Sequence, residues 1–217
     1  MPETITTPLS FFEIEMEYAE PDVKMWLDRA NVVKEVWKAL KPWSIVVDDI
    51  EIIQTGKPSE QGIKFKIPEK LSSFFFGPAY CKFNRDNTDW SVAEETISII
   101  EAATNALLSQ TKAVIAKRKT TIVLHAQPKK LPFLRVLSPL IPPQIAALEK
   151  QQPKTMAVIV KWENRKLTLD GSASVANGIF LRFEREFDGS VSYRDMAYQL
   201  RADEEQVFAM LGVQEEA

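Results

Sequence analysis

The chain has one histidine, one cysteine and seven glycines in 217 residues. Each shortage removes a class of chemistry. A Ser-His-Asp triad needs a histidine, so His125 alone would have to serve, and no Gly-x-Ser-x-Gly elbow is present to accompany it. His125 lies in an alternating stretch, Thr120–Ala126, and reads as a strand-face side chain. Zinc sites are built from clusters of Cys and His, and one of each does not make a cluster. Cys81 reads as a small apolar strand residue. With one cysteine no intramolecular disulfide forms, which fits a reducing compartment. Phosphate cradles need glycine so that backbone amides approach the ligand, and the glycines here are scattered singly. No cofactor is expected, and the balance leans away from an enzyme.

Long apolar runs are also missing. No uninterrupted stretch approaches the roughly 20 residues a membrane helix requires. Met1–Ser10 holds no basic segment followed by an apolar one, so a secretory signal is not expected. The expected location is the cytoplasm, without a membrane partner.

Acidic residues are missing from one long interval. Between Glu101 and Glu149 there is no Asp or Glu, but there are Lys112, Lys117, Arg118, Lys119, Lys129, Lys130 and Arg135. That interval carries +7 within a chain of net charge −3, so the remainder carries −10. Lys117, Arg118, Lys119, Lys129, Lys130 and Arg135 are the candidate contacts for an anion or a partner. The clusters 117–119 and 129–130 flank one predicted strand, roughly 35 Å apart if it is extended.

What is present is periodic. Phe12, Ile14, Met16 and Tyr18 alternate with Glu13, Glu15 and Glu17, a strand with one wet face. Val23, Trp26, Leu27, Ala30, Val33, Trp37 and Leu40 fall on one helical stripe between Pro21 and Pro42. Ser44–Ile53 and Ile63–Ile67 read as strands around a 56–59 turn. A strand at Phe75–Phe83, a helix near Asp89–Ala116 with Ser91 and Glu94 at capping-box spacing, and a strand at Thr120–Ala126 follow. The segments 10–68 and 74–127 thus read as two copies of a strand–helix–strand unit. Leu131–Ile145 holds four prolines, and neither regular helix nor central strand suits it throughout. A short helix at Pro143–Lys150 and strands at Met156–Trp162, Lys166–Leu169 and Ile179–Phe187 come next. A short helix pair is expected within 190–213, at Ser192–Leu200 and Asp203–Leu211.

The predicted fold class is α+β, a single domain over 1–217. It is a mostly antiparallel sheet with two long helices packed on one face and the short C-terminal helix pair.

Two carriers of function remain. The C-terminal pair has Ala197 and Val207 where a helix-turn-helix places small and apolar residues. Its second helix opens on Asp203, Glu204 and Glu205, which repel phosphates and suit a helix N-terminus better. The other carrier is surplus apolar surface. Three consecutive phenylalanines, Phe74, Phe75 and Phe76, have no way to face one core from a strand. With Phe133, Leu134 and Leu137 they form the expected assembly surface. Among carboxylates, Asp48, Asp49 and Glu51 are the densest cluster, read as a solvated strand edge. The expected function is a non-enzymatic binding or assembly protein, homo-oligomeric, with a protein partner as the other ligand class. The alternative is a nucleic-acid-associated or regulatory protein using the basic 112–135 segment.

Overall fold

The computed structural model describes residues 2–22, 25, 27–55, 57, 60–142 and 157–216. Their architecture is α+β, with ten strands. The chain divides into two compact units: a larger one of Phe12–Thr120 and Glu186–Ala197, and a smaller one of Met1–Phe11, Thr121–Arg185 and Tyr198–Ala217. Strand β1 (Glu3–Tyr18), strand β6 (Ile115–Pro128), strand β9 (Ile179–Asp188) and helix α4 (Tyr193–Leu211) contribute residues to both.

In the larger unit, β2 (Ile50–Ile53), β3 (Gly62–Ile67), β4 (Ser72–Phe76) and β5 (Tyr80–Asp86) form a meander that continues into β1 and β6. The registers are antiparallel: Ile52 faces Ile63, Phe65 faces Phe74, and Phe74 faces Phe83. These cross-strand partners share one face, and Phe65, Phe74, Phe76 and Phe83 are all fully buried on it. Helix α1 (Arg29–Leu40) packs against helix α2 (Ala93–Ser109). Periodicity places Val92, Thr96, Ile99, Ala103, Leu107 and Val114 on one stripe; helix α2 buries Thr96, Ile99, Ala103 and Leu107, while Val92 and Val114 fall outside the helix and Val114 is exposed. The helix is shorter than expected, and Asp89, not Ser91, caps the turn before it by accepting from the Ser91 amide at 2.7 Å.

The phase of α1 differs from the expected stripe. Val32, Val36 and Leu40 are buried, while Ala30 and Leu27 are exposed. Trp37 is half-buried because its indole Nε1 donates to the Ile45 carbonyl at 3.2 Å. Val23 and Trp26 of the stripe lie outside the described residues, as do most of the 56–59 turn and the helix expected at 143–150. The expected Ser44–Ile53 strand is mostly turn. Single 3₁₀ turns occupy Lys41–Trp43 and Val47–Asp49, leaving four residues of strand.

In the smaller unit, the first residues of β1 and the last of β6 precede β9, β8 (Arg165–Gly171) and β7 (Val158–Lys161) in the strand order. Strand β10 (Val213–Glu215) pairs with β1 in parallel, Glu3 with Val213 and Ile5 with Glu215. Leu167, Leu169, Ile179 and Leu181 line the buried face. Leu131–Ile145 contributes a one-turn helix α3 (Phe133–Leu137), whose Val136 and Leu137 are buried.

The C-terminal segment is one helix of 19 residues, not a pair. Nothing in Arg201-Ala202-Asp203 breaks a helix, and Leu200, Val207 and Leu211 keep one buried stripe across that point. The acidic run sits mid-helix, and Asp203 meets arginines there. No described helix is long and apolar enough to cross a membrane.

Candidate functional site

The basic residues singled out by charge fall in different units, and most are engaged. In the larger unit, Lys117 pairs with Glu186 at 2.5 Å. Arg118 donates to the Val191 carbonyl and stacks 4.4 Å from the Tyr193 ring centroid. Lys119 also has a partner. In the smaller unit, Lys129 pairs with Glu216, and the Lys130 amide donates to Glu3 Oε1 at 2.5 Å. Arg135 is exposed in α3.

The apolar residues singled out are mostly interior. Phe74, Phe76 and Leu137 are fully buried, and Phe133 and Leu134 are half-buried. Phe75 points to the other side of β4, as the three-Phe argument requires. Its ring lies 5.3 Å from that of Tyr80 and covers Gly62, where a Cβ would come within 2.2 Å of it. A glycine is needed at that position for close approach. Exposed apolar side chains include Val46, Val47 and Ile52 around β2, and Ile159 and Trp162 around β7.

The residues with catalytic potential are held in structural roles. His125 Nδ1 is 2.7 Å from Ser172 Oγ, a Ser–His contact that sequence reasoning did not pair. Ser172 Oγ also accepts from the Val175 amide at 2.9 Å and the Ser174 amide at 3.2 Å. Its lone pairs are therefore occupied, as in a turn anchor. A nucleophile needs one of them free. Burial pushes the Cys81 thiol up to about 12, partly offset by the neighbouring Tyr18 hydroxyl and by Arg118. A thiol that stays protonated is a poor nucleophile. Burial likewise raises the Tyr18 phenol, and Cys81 adds to it. The Tyr193 phenol is raised by burial and lies 3.1 Å from Thr104 Oγ1.

The carboxylate cluster does not converge. Asp49 Oδ2 accepts from the Val46 amide at 2.9 Å, and Glu51 pairs with Lys66. Among the described residues no group of three or more His, Cys, Asp or Glu is placed to hold a metal ion.

Among the described residues, two surfaces carry exposed side chains. The first is the β2 edge. β2 stands at the end of the strand order with β3 as its one neighbour among the described residues, and Ile52, which faces buried Ile63, is 60% exposed. Val46 and Val47, just before it, are 57% and 66% exposed. The second is the outward face of the β7–β8–β9 sheet. Across it Lys161 faces Lys166, which faces Glu184, and Ile159 faces Thr168, which faces Arg182. Phe180 follows on β9, its ring 5.3 Å from that of His125. No protein-family model matches the chain, and no curated protein matches its sequence.

Proposed function

We propose that the protein is a non-catalytic assembly protein that associates with further copies of itself through the β2 edge. One observation carries this reading: an edge strand that pairs on one side only among the described residues, with three exposed aliphatic side chains, Val46, Val47 and Ile52, in the same short segment. Sheet edges left open normally carry charge, proline or a bulge that discourages pairing. β2 has one charge, Glu51, and that charge is already matched by Lys66 on the adjacent strand. Strand addition at such an edge joins main-chain hydrogen bonds to burial of the aliphatic side chains. The scarcity of histidine, cysteine and glycine supports a role without catalysis. The alternative use of the 112–135 cations for nucleic acid has less support, because Lys117 and Lys129 are occupied by Glu186 and Glu216.

Light scattering coupled to size exclusion tests the reading. The expected mass is a multiple of 24.7 kDa. Ile52→Lys places a charge on the edge and returns the protein to one chain with unchanged circular dichroism. A wild-type protein that stays monomeric at its highest attainable concentration sinks the proposal.

A further inference from the structure

We infer that the outward face of β7–β8–β9 binds single-stranded nucleic acid. The charge balance of this face differs from that of the chain. Lys166 at 2.8 Å and Arg182 at 3.0 Å converge on the single carboxylate of Glu184. Lys161, beside Lys166, is exposed and has no ion-pair partner among the described residues. Asp170 is the other carboxylate on the face, and its Oδ1 is turned back to the Gly171 amide at 2.7 Å. Three cations therefore stand against two carboxylates, one of them shared. The smaller unit as a whole has eleven Lys and Arg against ten Asp and Glu, +1 in a chain of −3. The cations of this face are what would draw a polyanion to it.

The rings identify which polyanion. Phe180 is half-buried on the same face, one strand step from Arg182, with His125 beside it. Successive same-face residues on a strand are roughly 7 Å apart, and neighbouring strands about 5 Å. Such a grid sets a flat ring next to cations at the scale of one nucleotide, the arrangement by which open sheets stack bases and hold phosphates. An acidic polypeptide would use the cations and leave the rings idle.

The test is fluorescence anisotropy with labelled oligouridine RNA and oligothymidine DNA, titrated with the full chain at low and rising salt. Binding that weakens with salt is expected. Lys161→Glu, at an exposed site, should weaken it about tenfold and lower the salt slope by about 1 or more. Phe180→Leu keeps apolar volume but removes the stacking ring, and should cost roughly 5-fold or more. Lys34→Glu changes net charge equally on α1 of the larger unit and should leave affinity within about twofold. Absence of binding at low salt overturns the inference. So does binding that survives both Lys161→Glu and Phe180→Leu, or competition by polyglutamate as strong as by RNA. A monomer that binds RNA would remove the assembly reading and leave this one standing.

Discussion

The outward sheet faces of the two units are built on the same alternation and finish with different charge. In the larger unit the strand β1 puts Glu13, Glu15 and Glu17 on that face. Lysines come to meet them and their neighbours: Lys82 reaches Glu13 at 2.8 Å, Lys66 reaches Glu51, and Lys117 reaches Glu186. In the smaller unit the order is reversed, since Lys166 and Arg182 compete for Glu184 and Lys161 has no ion-pair partner among the described residues. The first face meets several of its carboxylates with lysines and stays acidic around Glu15. The second has donors to spare. Net charge of −3 describes neither, and only cross-strand register reveals the difference.

The units also differ in what anchors them, and the largest expected effect lies there. The larger unit rests on Phe65, Phe74, Phe76 and Phe83, with Phe65 and Phe76 stacked at 6.1 Å. Phe76→Ala should cost about 3–5 kcal/mol in urea denaturation, the range for deleting a buried ring. Phe180→Ala on the smaller unit's outward face should cost less, about 1–2 kcal/mol, because that ring is only partly buried. Equal losses would mean that Phe180 is a core residue and that its face is covered.

A middle-sized effect separates buried from exposed ion pairs. Asp203 accepts from Arg165 at 2.8 Å and from Arg185 at 2.7 Å, and Arg185 also donates to Gln199 at 2.6 Å. The Asp203 carboxylate is 15% exposed, so it ties β8 and β9 to α4 within the smaller unit with little help from solvent. Asp203→Asn keeps the shape and removes the charge, leaving two arginines without their anion. It should cost about 2 kcal/mol. Glu13→Gln breaks a pair on the larger unit's wet face and should cost about 0.5 kcal/mol. The comparison fails if the two losses, read from thermal melts, are the same.

Asp203 also shows where sequence reasoning reaches its limit. Asp203, Glu204 and Glu205 carry the marks of a helix start, and local pattern places one there. The arginines that recruit Asp203 lie 38 and 18 residues away, a separation at which no local signal operates. What was legible rested on periodicity: the 12–18 alternation, the Ile63–Ile67 strand, which the structure extends to Gly62, and the middle of the α2 stripe. The first half of β1 was not legible, since Thr6, Thr7, Pro8 and Leu9 do not alternate. Hydrogen bonds such as Glu3 amide to Gly212 carbonyl and Lys129 amide to Thr4 carbonyl organise it instead. The candidate face was invisible for the same reason. Lys161, Lys166, Phe180 and Arg182 come from three strands and share a surface only through register.

The smallest effect reads the acidity of the larger unit's face directly. Tyr80 sits on that face, and its phenol titrates above the ordinary value of 10.0, first because of partial burial and then because of the Glu15 charge. A raised folded-state value means that Tyr80 contributes stability below pH 10 and loses it as pH rises through the folded value. Glu15→Gln removes the largest charge contribution and should bring the phenol part of the way down, leaving the share that burial imposes. Ultraviolet difference titration against a Tyr80→Phe reference isolates this one phenol from Tyr18 and Tyr193, which burial also raises. Lys82 opposes the carboxylates at Tyr80, so Lys82→Gln should move the phenol the other way, upward. If neither variant shifts it, the acidic stripe is screened by solvent, and the contrast between the two faces would reduce to the surplus of cations over carboxylates on the smaller unit's face.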